Sequence, residues 1–238
     1  GYFNKSPVII NKCSNSDGVY YINLNNNKTT LLISLEYLAN FKSRKEMKDG
    51  WHKINHIMIS PGGYRFMFMH RWFDRKGKKY SRLYTANIDG TEIYLLADDN
   101  MISHCNWKNE NEIIGWMRKK NYGDHYYLLK DKSTKFEIIG KETLKEDGHP
   151  SISKDEKWLL TDTYPNKARM SKLLLYNLQS NKLFNLGEFF SPMKFFGFNR
   201  CDLHPRFNPD NKKITFDSAH TGIRQLYEMD ISKIIENE

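Results

Sequence analysis

Four histidines recur at one register of this chain, each three residues ahead of a large apolar side chain: His56 before Ile59, His104 before Trp107, His149 before Ile152 and His204 before Phe207. Imidazole ligates metals and moves protons near neutral pH, so a shared histidine position is a candidate for either chemistry. More polar groups gather where strands should end: His70 and Arg71 in one unit, Asp162 and Tyr164 in another, Asp217 and His220 in the last. Together they would furnish a cavity with imidazole, guanidinium and carboxylate. Arg82 or Arg200, if buried, would suit bidentate recognition of a carboxylate. Each group also has a structural reading. Asp and Ser at strand ends commonly satisfy turn backbone, arginines default to the surface, and WD-type repeats place a bracing histidine near this position. The WD dipeptide is missing here, which weakens the bracing alternative.

The elements that must position these groups follow from the repeat, which returns about every 50 residues, the length of a propeller blade. In one unit, strands are expected over 54–60, 64–70, 82–87 and 92–96, with Ser60-Pro61-Gly62-Gly63 and Asp89-Gly90 as the turns. Similar runs fill 102–139 and 149–186. A last unit over 202–229 lacks a clear fourth strand, and 8–10, 19–23 and 30–33 supply three strands of a further one. The expectation is an all-β chain, a β-propeller of four-stranded antiparallel blades with about five visible. Either its incomplete ends complete one another, or the chain is the C-terminal part of a larger propeller. In such a fold the innermost strands line a channel, so residues of equal register face one space. Residues 35–53 interrupt the pattern and read as a surface insertion with a helical turn or two over 35–41. No low-complexity linker divides residues 1–238, which read as a single domain.

Composition narrows the function classes. The 238 residues carry a formal charge of +9 and 14% aromatic side chains, with a pI near 9.2. This balance favours an acidic partner and many half-buried strands. The basic clusters at Lys42–Lys45 and Arg75–Lys79 read as solvated loops, and the aromatic motifs of RNA-binding modules are absent, so no nucleic-acid partner is expected. No stretch approaches a membrane span. Cys13, Cys105 and Cys201 are far apart without a C-x-x-C pair, which argues against a disulfide framework or a thiolate zinc site and for a reducing compartment. The opening Gly1-Tyr2-Phe3, without methionine or an apolar leader, suggests a processed or excised piece.

From residue 54 to 230 the chain resembles the oligogalacturonate lyases, cytoplasmic β-propeller enzymes that split short acidic pectin-derived sugars by β-elimination. The most specific stretch is Asp202-Leu203-His204-Pro205-Arg206-Phe207-Asn208-Pro209, followed by Ile214-Thr215-Phe216-Asp217-Ser218 and Gln225-Leu226-Tyr227. The resemblance implies manganese as cofactor and an acidic oligosaccharide as substrate. His204 and His149 match metal-ligand positions, His104 matches the catalytic base, and Arg82 is similar to the arginine that engages substrate. Asp202 stands where the family has another histidine, and Asn199 where an amide ligand is expected; a carboxylate also binds manganese well. His56, His70, Arg71, Arg200 and His220 complete the expected substrate-binding set. The alternative is a non-catalytic propeller that binds a glycan or protein partner through the same mouth, within surface-polysaccharide metabolism.

Overall fold

The computed structural model describes residues 12–238. Among these described residues, seventeen strands form five antiparallel sheets. Strands β1 (Gly18–Asn23) and β2 (Lys28–Ser34) pair as a hairpin. Three meandering four-stranded sheets follow. They comprise β3 (Trp51–Ile59), β4 (Arg65–Phe73), β5 (Lys79–Asn87) and β6 (Tyr94–Ala97); β7 (Ile102–Trp107), β8 (Glu112–Lys119), β9 (Gly123–Lys130) and β10 (Phe136–Ile139); then β11 (Ser151–Ile152), β12 (Trp158–Asp162), β13 (Met170–Asn177) and β14 (Leu183–Phe190). The last sheet has three strands, β15 (Arg206–Phe207), β16 (Lys213–Ser218) and β17 (Gln225–Asp230), before a short helix over Ser232–Glu236. These are the antiparallel blades of a β-propeller. The expected strand over 8–10 lies outside the described residues, and among those residues no helix is long and apolar enough to cross a membrane.

The strands form where the sequence alternates or runs apolar. In β16, Ile214, Phe216 and Ser218 are buried while the residues between them are partly exposed, the period of a sheet with one covered face. In β4 the run Phe66–His70 is buried throughout, as a strand covered on both faces must be. The Asp89-Gly90 turn needs its glycine twice: Gly90 has φ +84°, and a Cβ there would lie 2.9 Å from Cβ of Leu32.

The chain divides into two compact units: one runs through Ile102 and adds Arg118–Tyr122 and Asp131–Thr134, and the other holds the rest. In the first, Val19, Ile33, Leu38, Phe66, Phe68, Tyr84 and Ala86 pack as a core. The segment read as an insertion contributes to that interior: Leu35 and Leu38 of the helix Leu35–Asn40 are buried, and so is Met47 against Trp72 and Tyr80. Strand β3 also starts at Trp51, ahead of the expected residue 54. In the second unit, Trp158, Leu160, Leu173, Leu175, Leu203, Ile214, Phe216 and Ile231 pack together. Among the described residues, Cys13, Cys105 and Cys201 form no disulfide.

The first unit also buries charge. Arg82 is 1% exposed. Its guanidinium donates to both carboxylate oxygens of Asp98 at 2.7 and 3.1 Å and to the carbonyls of Phe41 and Lys42. Arg44, read as part of a solvated cluster, is half-buried: it pairs with Asp98 at 3.0 Å and lies over the rings of Trp72 and Tyr80. Beside them His70 is fully buried, with Nε2 2.8 Å from Nδ1 of His52 and its own Nδ1 without a hydrogen-bond partner among the described residues.

Burial, then the neighbouring His52 and Arg82, push the His70 imidazole down to about 3. An unfolded histidine titrates near 6.5, so the buried neutral ring favours folding fully above that pH, and this contribution is lost as pH falls from 6.5 toward 3. Urea-denaturation midpoints should therefore fall steadily across this window. His70→Phe, which cannot be protonated, should show a shallower decline; an unchanged slope would remove His70 from the acid response.

Candidate functional site

In the second unit a buried carboxylate organises the site. Asp162, the last residue of β12, is 1% exposed. It accepts from the backbone N–H of His149 at 2.7 Å and of His204 at 3.1 Å, and it lies 2.9 and 3.0 Å from Nδ1 of His149. This approach requires a glycine before His149, because a Cβ on Gly148 would lie 1.8 Å from the Asp162 carbonyl oxygen. Burial alone would raise the Asp162 carboxyl, but the hydrogen bonds and charge of His149 outweigh it and hold the group below its ordinary value. An ionised carboxylate only accepts, so His149 Nδ1 must donate, and in the neutral ring Nε2 carries the lone pair. A carboxylate behind an imidazole is the arrangement that fixes a metal-ligating histidine.

The strands that should hold the two histidines begin late, and proline explains why. His149 precedes Pro150 and His204 precedes Pro205, and a residue without N–H cannot enter the ladder. Pairing starts at Ser151 in β11 and at Arg206 in β15, leaving both histidines on lead-in segments ahead of the strands. His204 takes φ +42°, a left-handed conformation uncommon outside glycine, and its N–H meets Asp162 there.

The result is a three-residue cluster. His149, Asp202 and His204 each offer one ligand atom, all within 4.8 Å of one another. The two imidazole centroids are 3.8 Å apart. Burial, then the neighbouring His149, push the His204 imidazole below its ordinary value, which favours the neutral form that ligates metal. Asp202 is 8% exposed. Arg200 Nε donates to its Oδ2 at 2.8 Å and lies 2.7 Å from Oδ1, but hydrogen-bond geometry is met only at Oδ2. Oδ1 is thus a buried acceptor with no hydrogen-bond partner among the described residues. Two imidazoles and a carboxylate whose Oδ1 makes no hydrogen bond fit a divalent cation such as manganese, iron or zinc.

A second pair adjoins the cluster. The ring of His104 lies 4.1 Å from that of His149, centroid to centroid. Its Nδ1 is 3.2 Å from Asp147 Oδ1, while Ser103 donates to Asp147 Oδ2 at 2.5 Å. Nδ1 therefore donates to the carboxylate, and Nε2 is left as acceptor, 3.4 Å from the hydroxyl of Tyr164. Arg200 covers the Tyr164 ring at 4.6 Å. Burial, then the charges of Asp147 and Asp202, raise the Tyr164 phenol well above its ordinary value, so it stays protonated at neutral pH.

Sequence reasoning thus placed His104, His149, Asp202, His204 and Arg200 in one neighbourhood. It gave Asp147 and Ser103 no part. Asp162 and Tyr164 carried one signal, their position at the end of a second strand. Asn199 is exposed at the end of the 3-10 turn Gly197–Asn199. His220 is exposed, with Nδ1 2.9 Å from Ser218 Oγ and its ring against Phe189 and Tyr227. The remaining expected site residues belong to the first unit. There His56 is exposed at a β-bulge with φ +54°, Arg71 reaches the Ile102 carbonyl at 3.3 Å, and His70 and Arg82 are enclosed.

No family model matches the sequence, and no curated protein matches it. Solved structures do. A putative TolB from Agrobacterium tumefaciens aligns with TM-score 0.55 at 15% identity, covering 90% of this chain and 68% of that one. TolB from Acinetobacter baumannii gives 0.52 at 15% identity over 76% of this chain; the alignment spans only 55% of that protein's length. Oligogalacturonate lyase from Vibrio parahaemolyticus gives 0.54 at 9% identity, covering 89% and 71%. At these identities the likeness establishes the propeller fold.

Removing the organising charge should be costly. Asp162→Asn keeps the shape but leaves three donors facing an amide, and it should destabilise the protein by about 3 kcal/mol in chemical denaturation. A loss below about 0.5 kcal/mol would show that Asp162 does not organise the site.

Proposed function

We propose that the second unit carries a divalent-metal site on which an acidic, uronate-containing oligosaccharide is cleaved by β-elimination. The observation that supports this reading is the adjacency of two differently built groups: a trio of ligand atoms within 4.8 Å of one another, and a carboxylate-oriented imidazole 4.1 Å away, ring to ring. His149, His204 and Asp202 would hold the cation. When bound, it supplies positive charge that neutralises the uronate carboxylate and so makes the C5 proton removable.

The protein's own residues supply the proton transfers. Asp147 fixes the His104 tautomer, so Nε2 takes the C5 proton as the C4–O bond breaks and the C4–C5 double bond forms. Tyr164, protonated and 3.4 Å from that nitrogen, gives a proton to the departing O4 and recovers one from His104 across the same contact. Arg200, with 46% of its side chain exposed, is the arginine available for the substrate carboxylate. Arg82, the arginine implied by the family resemblance, is closed around Asp98. The net positive charge of the chain favours anionic sugars.

A second reading is a propeller that binds an acidic glycan without cleaving it. It is favoured by Asp162, whose grip on two backbone N–H groups is also a strand brace. Metal content by mass spectrometry, paired with ultraviolet detection of unsaturated product from a panel of uronate oligosaccharides, separates the two. His149→Ala and His204→Ala should lose metal, while His104→Ala should keep it and lose turnover by about 100-fold or more. Equal loss of folding in all three variants would support bracing. Metal without product would favour the binding reading.

A further inference from the structure

Arg200 occupies two positions at once. It is bonded to Asp202, the one carboxylate in the ligand trio, and its guanidinium stands over Tyr164 beside the candidate base. A cation 2.7–2.8 Å from both oxygens of Asp202 opposes a second cation arriving at the same carboxylate. It also makes Asp202 a poorer donor, because Oδ2 is already engaged in a charge-assisted hydrogen bond. Conversely, while Arg200 is held by Asp202 its charge is neutralised and its fork is partly occupied, so it is a weak receptor for a ligand anion. The side chain is 46% exposed, whereas Asp202 is 8% exposed, so the arginine is the partner that can turn away.

We infer that Arg200 is an exchangeable counter-ion of the site: it covers Asp202 when no metal is bound, and a divalent cation displaces it toward the ligand's carboxylate. This rests on the metal site proposed above and adds that metal and anionic ligand bind cooperatively through one side chain. Two consequences follow from linkage. Removing Arg200 relieves Asp202 and tightens metal binding. Metal and anion each raise the other's affinity by the same factor while Arg200 is present, and that part of the coupling disappears without it. A fixed brace would behave oppositely, since losing it would let Asp202 wander and would weaken metal binding.

The test is calorimetric titration of the full chain with manganese alone, then with digalacturonate in the presence and absence of manganese. Arg200→Ala should bind manganese about fivefold or more tightly than the unaltered protein, and Lys182→Ala, which removes a charge paired elsewhere with Glu238, should match the unaltered protein. Manganese should raise digalacturonate affinity about fivefold or more in the unaltered protein, and by a smaller factor in Arg200→Ala. Unchanged or weaker manganese binding by folded Arg200→Ala overturns the exchange while leaving the metal site standing. Absence of manganese binding in every variant overturns the site and the exchange together.

Discussion

Asp162 sits at the end of a fully buried strand with two backbone N–H groups and one imidazole turned on it. A carboxylate in that setting must either be neutralised or be surrounded by donors, and here the donors come from two separate segments. The first segment brings His149 and the second brings His204, 42 residues from Asp162. Their side chains meet because their backbones share an acceptor. The positive φ of His204 and the absent Cβ of Gly148 are the local conformational concessions that this shared acceptor requires.

The blade architecture makes that convergence possible, and proline sharpens it. Ladder pairing would have used the N–H groups of the lead-in residues; the His-Pro pairs stop the ladder short and free those groups for Asp162. The same buried-polar logic operates in the first unit with another outcome. There Arg82 and Asp98 satisfy one another and the carbonyls of Phe41 and Lys42, while His52 and His70 stack as a pair against Trp72. In that cluster the Asp98 carboxylate is covered by the guanidinium groups of Arg82 and Arg44. The second unit instead brings ligand atoms of His149, Asp202 and His204 within 4.8 Å of one another, which is why the metal site is proposed there.

Much of this was legible in the sequence. Alternation and turn residues give the sheets of the blades, and the histidine register selects His104, His149 and His204, which do share a neighbourhood. His56 shares the register but lies at a β-bulge, where the extra residue re-aims the side chain in a way that periodicity alone does not encode. Arg82 looked available because a strand-end arginine usually is; its enclosure depends on Asp98 and on a loop about 40 residues away. Asp147 was invisible as a partner because 43 residues separate it from His104. The 35–53 segment read as a surface insertion because it interrupts the strand pattern, yet it buries Leu35, Leu38, Met47 and His52.

The central claim is that His149, Asp202 and His204 together hold a divalent cation. A crystal grown with manganese and measured at the manganese absorption edge tests it most directly. The account requires an anomalous peak bonded to an imidazole nitrogen of each histidine and to a carboxylate oxygen of Asp202, with Asp162 still behind His149. Full-occupancy manganese bound elsewhere, or a manganese-saturated crystal with no peak at this trio, would contradict it.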